Sequence, residues 1–160
     1  MSTIRVVRGV GTAATAMASY DAALAAANVH NYNLVQVSSV IPAEATVREG
    51  ETAPDLGPAG NRLTVVESRA TRAAGTADEV CAGVGWTTGP GPGLFYEASG
   101  DDPETVRETI ELGLAEGREL RDWTFDAEEV TVATAAIPER GEEYTTAVVI
   151  AAYGESEPIL

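Results

Sequence analysis

Two adjacent serines, Ser38 and Ser39, close the β-rich run Asn31–Ile41 (NYNLVQVSSVI) just ahead of Pro42 and Glu44, in a chain of 160 residues. Serine hydroxyls are candidate nucleophiles, but Ser-Ser is a common dipeptide and strand ends are polar, so the pattern alone reads as a plain strand terminus. The other reactive types narrow the field. Lysine is absent, so no side chain here forms a Lys Schiff base with pyridoxal phosphate or a substrate carbonyl, and no P-loop lysine exists. One cysteine, Cys81, and one histidine, His30, exclude an internal disulfide and a Cys/His zinc cage. Cys81 lies in a β-run with no histidine in sequence reach and reads as a buried structural thiol, while His30 reads as a turn residue. Gly9-x-Gly11-x-x-Ala14 follows a strand, as a dinucleotide fingerprint would, but a Val-Ser stretch stands where the partner acid is expected about 20 positions on. The glycines are then best explained as a strand-ending turn. No Gly-x-Ser-x-Gly nucleophile elbow is present.

Charge removes further classes. Ten arginines against 25 acidic residues give a net charge of −15 with no basic cluster, which argues against nucleic acid or an anionic membrane as partner. An acidic, Lys-free, Ala-rich composition is the pattern of a salt-adapted proteome, where molar salt shortens the Debye length to about 3 Å and self-repulsion becomes tolerable. No apolar run approaches the roughly 18 residues of a membrane-spanning helix, and the expectation is a soluble, cytoplasmic protein.

The elements that must position these residues follow from periodicity. Thr3–Val10 reads as a strand, Met17–Val29 as an amphipathic helix with Asn28 as terminator, and Asn31–Ile41 as a second strand. Residues 43–61 read as a polar loop. Strands at about 62–72, 78–87 and 94–99 follow, the last two joined by Gly89-Pro90-Gly91-Pro92-Gly93. The clearest helix is Asp102–Arg121, with Pro103 and Glu104 in its first turn and Val106, Ile110 and Leu114 on one face. Its interior Gly113 and Gly117 imply close packing on a sheet. Strands at 129–137 and 145–153 complete a single domain over residues 1–160, of α+β class.

The string Asn33-Leu34-Val35-Gln36-Val37-Ser38-Ser39-Val40-Ile41-Pro42, with Glu44 after it, resembles the self-cleavage segment of the pyruvoyl-dependent arginine decarboxylases. Tyr20-Asp21-Ala22-Ala23-Leu24 is similar to the family's helix carrying an aspartate, and Gly93-Leu94-Phe95-Tyr96-Glu97 to the strand ending in its acid. Position 36 is Gln where a basic residue can occur in the family. The resemblance implies an αββα sandwich of mostly antiparallel sheets with helices on the outer faces. It implies cleavage between Ser38 and Ser39 into fragments 1–38 and 39–160, and a covalent pyruvoyl group derived from Ser39. It further implies decarboxylation of L-arginine to agmatine in polyamine biosynthesis, by a homotrimer with sites at subunit interfaces.

In that frame Ser39 forms the group, Glu97 is the general acid, Asn33 a neutral hydrogen-bonding group, and Asp21 the partner of the substrate guanidinium. Glu97 must be partly protonated near neutrality, which burial beside Leu94, Phe95 or Tyr96 would favour. Without the resemblance Glu97 reads as a solvated strand-end residue, and the alternative for Asp21 is a helix-surface acid. If residues 33–39 are extended they span about 20 Å at roughly 3.3 Å per residue, so Asn33 cannot touch residue 39 of its own chain without a bend. A neighbouring protomer is therefore expected to complete the site. Two other readings stay open: a pyruvoyl decarboxylase of another amino acid, and an uncleaved, non-catalytic trimeric binding protein of the same fold.

Overall fold

The computed structural model describes residues 2–160. β1 (Thr3–Ala13), α1 (Ala16–Ala26), β2 (Asn33–Gln36), β3 (Val40–Ile41), β4 (Thr46–Glu49), β5 (Arg62–Ala73), β6 (Glu79–Thr88), β7 (Gly93–Gly100), α2 (Pro103–Glu119), β8 (Ala127–Ala136) and β9 (Tyr144–Tyr153) follow in order. They form a five-stranded sheet, β2-β5-β9-β1-β4, and a four-stranded sheet, β3-β7-β6-β8. The second sheet is antiparallel throughout. The first is mixed, because its edge strands β2 and β4 run parallel to β5 and β1.

The inner faces meet in a core that includes Val6, Ile41, Val66, Val84, Phe95 and Val149. α1 covers the outer face of the first sheet with Ala23, Leu24 and Ala27 against Val7, Val65 and Val148. α2 covers the outer face of the second with Val106, Ile110 and Leu114. The layers are helix, sheet, sheet, helix, as the family resemblance implied.

Both helices begin on side-chain caps. Thr15 accepts from the Ala18 N–H at 3.1 Å, and Asp102 accepts from the Thr105 N–H at 3.1 Å with Pro103 just inside the helix. Asn28, at φ 61°, ends α1 in the left-handed region and donates its Nδ2 to the Ala53 carbonyl.

Three sequence expectations change. Gly9 and Gly11 do not end the first strand, which continues to Ala13. A Cβ at Gly9 would lie 2.1 Å from the Ala23 carbonyl oxygen, and one at Gly11 2.3 Å from the Ala23 nitrogen. The two glycines let α1 lie directly on β1, and the apparent fingerprint is a packing device. Residues 43–61 are not all loop, since Thr46–Glu49 adds a parallel strand beside the start of β1. The expected strand Asn31–Ile41 is two strands in different sheets, split at residues 37–39.

Candidate active site

That split is where the candidate site lies. Val37 makes the last ladder contact on the first sheet, its N–H donating to the Val65 carbonyl at 3.0 Å. Two residues later the Ser39 carbonyl accepts from the Phe95 N–H at 2.7 Å, the first contact on the second sheet. The Ser38–Ser39 peptide bond lies in the crossing between them, outside both ladders. Ser38 is exposed and Ser39 half-buried.

The register brings Glu97 to Ser39. Val40 pairs with Leu94 and Ile41 with Gly93, so Ser39 stands opposite Phe95. Side chains alternate along strands, which puts Ser39 and Ile41 on the same inward face as Phe95 and Glu97. Glu97 is the diagonal neighbour of Ser39, a relation that spans about 7–8 Å. In the single chain the Glu97 side chain is accessible, yet partial burial pushes its carboxyl above the ordinary glutamate range, and a backbone hydrogen bond only partly offsets this.

Tyr153, the last residue of β9, reaches across the gap between the sheets at the same point. Its hydroxyl donates to the Val40 carbonyl at 2.9 Å, and its ring meets Phe95 edge-on at 6.0 Å between centroids. Burial first, and the Glu97 charge second, push the phenol up to about 12.

Asn33 and Asp21 lie elsewhere. Asn33 begins β2, at the edge of the other sheet, where its Nδ2 donates to the Gly60 carbonyl at 2.8 Å. Asp21 is exposed on α1 and has no hydrogen bond or ion pair among the described residues. Between them sits a buried carboxylate that no sequence motif marks. Glu67 on β5, 8% exposed, accepts from the Tyr20 hydroxyl at 2.6 Å and from Gln36 Nε2 at 3.0 Å. Arg69 stacks 4.4 Å from the Tyr20 ring centroid, over the same network. Glu67 thus ties the helix that carries Asp21 to the strand that leads into Ser38.

A cavity of about 270 Å³ adjoins Ser39 on the other face of β7, lined by Leu94, Tyr96, Gly113, Gly117, Leu120 and Arg121. The Tyr96 ring fills the space above Gly113, where a Cβ would lie 2.3 Å from it, and Gly117 meets Leu94. A larger one, about 700 Å³, opens between β1 and β8 around Arg8 and Thr131 and holds none of these residues. Cys81 is fully buried, and burial pushes its thiol pKa up, which suits the structural reading. His30 is exposed in the turn after α1. Among the described residues no three His, Cys, Asp or Glu side chains group as a metal site, and no helix is long and apolar enough to cross a membrane.

Sequence reading missed Tyr153 and Glu67. Strand alternation puts Tyr153 on the face of Val149 and Ala151, but only the packing of one sheet on the other brings residue 153 to residue 40.

A family model described as pyruvoyl-dependent arginine decarboxylase matches residues 3–158. The chain is 52% identical over 161 residues to a pyruvoyl-dependent arginine decarboxylase of Halobacterium salinarum, across 99% of this chain and 98% of that protein. It is 32% identical over 143 residues to the protein of that name from Methanopyrus kandleri, with 89% of each covered. Against the one from Pyrococcus furiosus it is 29% identical over 141 residues, across 87% of this chain and 88% of that one.

Proposed function

Since the chain belongs to the pyruvoyl-dependent arginine decarboxylase family, we propose that it converts L-arginine to agmatine and CO2 with a carbonyl group made from its own Ser39. The observation that carries this reading is the peptide bond between Ser38 and Ser39, free of both ladders and beside an acid whose pKa is raised. The residues fit the group: a serine held at its own carbonyl by Phe95 N–H, in a chain without a lysine to anchor pyridoxal phosphate.

Self-cleavage starts when Ser39 Oγ attacks the Ser38 carbonyl carbon. The amide C–N bond breaks, an ester forms, and the proton passes to the Ser39 nitrogen. Loss of the Ser39 α-proton then breaks the Cβ–Oγ bond and releases Ser38 as a new C-terminal carboxylate. Water adds to what remains of residue 39, and ammonia leaves. Only a β-hydroxyl both attacks and departs in this sequence. The break leaves β1, α1 and β2 in the fragment 1–38. They stay in place because β1 pairs with β9 from Ile4 to Ala13 and β2 pairs with β5.

Once formed at residue 39, the pyruvoyl group would supply a ketone able to bind the substrate amine and to withdraw charge from Cα as CO2 departs. Glu97 then delivers a proton to Cα, for which a carboxyl with a raised pKa is suited. Asp21 accepts two parallel hydrogen bonds from the substrate guanidinium, a contact short enough to survive molar salt. Asn33 orients the bound substrate as a neutral hydrogen-bonding group. Asp21, on α1, and Asn33, on β2, belong to the other layer pair from Ser39, which supports a site completed by neighbouring copies in a homotrimer.

The test is mass spectrometry of purified protein beside an assay of CO2 release from arginine, lysine and histidine. Expected are fragments 1–38 and 39–160, the larger lighter by one ammonia than a chain starting with serine, and activity on arginine. An unbroken chain would overturn the reading in favour of a binding protein. Ser39→Ala should leave the chain intact and inactive.

A further inference from the structure

We propose that Tyr153 is a positioning residue: with the Phe95 amide it clamps residues 39 and 40, so that residue 39 keeps its register with Glu97 after the chain has opened. The proposal rests on cleavage before residue 39.

Before cleavage, residue 39 is tethered on both sides. Afterwards it is a chain terminus attached only through Val40. The strand behind it, β3, is two residues long and lies at a sheet edge. The Val40 side chain, 45% exposed, adds little packing, so Ile41, in the core at 1% exposure, is the nearest side-chain anchor. Two hydrogen bonds fix what precedes Ile41: Phe95 N–H to the Ser39 carbonyl at 2.7 Å, and Tyr153 O–H to the Val40 carbonyl at 2.9 Å. The first runs within the sheet. The second comes from β9, which sits in the middle of the opposite sheet between β5 and β1.

The Tyr153 bond is thus the one that fixes the terminus relative to the other layer. The Phe95 ring, edge-on to Tyr153, holds the phenol in place. Burial and the nearby Glu97 charge keep its proton on through the neutral range, so it remains a donor wherever the enzyme works. Glu97 must meet a substrate carbon fixed by residue 39, and proton transfer needs heavy atoms within about 3 Å. A terminus free to swing spends less time there.

Tyr153→Phe removes the hydroxyl and keeps the ring beside Phe95. The variant should cut to wild-type fragments, because residue 39 is then still held from both sides. Its kcat should fall about 3- to 10-fold, the effect of one hydrogen bond, with KM within twofold. Amide hydrogen exchange, read by mass spectrometry on the peptide 39–44, should speed up by a similar factor in the cut protein. The same substitution in uncut Ser39→Ala protein should change exchange there much less. Incorporating 4-aminophenylalanine at 153, which restores a donor, should bring kcat and exchange back towards wild type. Unchanged exchange in the cut variant, or a raised KM with kcat intact, would overturn the clamp. If wild-type protein is found uncut, the cleavage reading fails first, so the two failures are distinguishable.

Discussion

Gly11→Ala probes the link from sequence to site most directly. The added Cβ would lie 2.3 Å from the Ala23 nitrogen and 2.6 Å from the Ala22 carbonyl carbon, where ordinary contact begins at 3.4 Å. Both are helix atoms with no rotamer to change, so α1 must withdraw as a body by about 1 Å. Ala23 and Ala27, fully buried between α1 and the sheet, lose contact along the seam. Overpacking of this kind costs about 1–3 kcal/mol, offset by a few tenths from the stiffer unfolded chain. For a domain of this size a 2 kcal/mol loss lowers the thermal midpoint by about 4–8 °C.

Asp21 rides on the same helix, two residues before Ala23, whereas Ser39 and Glu97 are positioned by β3 and β7. Gly11→Ala should therefore cleave normally but raise KM for arginine about tenfold, since a misplacement of about 1 Å is costly to a directional contact. Calorimetry, a denaturing gel and steady-state kinetics on one preparation read all three. Gly91→Ala, in the β6–β7 loop with nothing within 4 Å of its Cβ, is the matched control and should be neutral. A Gly11→Ala protein as stable as that control, with KM unchanged, refutes the reasoning that α1 is held at contact distance by the missing side chains.

Glu97 titrates with a raised pKa, so the folded protein holds its proton at pH values where the unfolded chain has released it. Between the two pKa values stability falls as pH rises, and kcat falls as the acid ionises. Glu97→Gln should remove that stability slope and lower kcat about 10²- to 10⁴-fold, with cleavage intact; a wild-type kcat would exclude Glu97 as the acid. Asp21→Asn should raise KM by about 10- to 100-fold, the loss of a charge-assisted pair, while fragments form normally. Loss of processing there would show that Asp21 is structural. Glu67→Ala strips the acceptor from Tyr20 and Gln36 and should cost about 1–3 kcal/mol in urea unfolding; a neutral result would mean that water replaces the carboxylate.

Much of the chemistry is local and therefore legible in the chain. The Ser38-Ser39 pair alone reads as a strand terminus, and it is the resemblance of three short motifs in order that points to a reaction type, while the absence of lysine removes the usual anchor of pyridoxal phosphate. The acidic, lysine-free composition agrees with the Halobacterium relatives. Helix ends are partly legible for the same reason, since Asn28, Asp102 and Pro103 act within one turn of their own positions, but α1 begins on a Thr15 cap that the sequence reading did not name and ends at Ala26, three residues before the expected Val29.

What tertiary structure alone decided is where the chain leaves one sheet for the other. Asn31–Ile41 is β-rich throughout, and no residue in it announces that Val37 donates to the Val65 carbonyl on one sheet while the Ser39 carbonyl accepts from Phe95 on the other. Register is a long-range property, set by how whole faces bury, so the diagonal approach of Glu97 to Ser39 and the reach of Tyr153 to Val40 arise only once two sheets pack. The same holds for Gly9 and Gly11, whose spacing suggests a nucleotide loop until a helix is found lying where their side chains would have been.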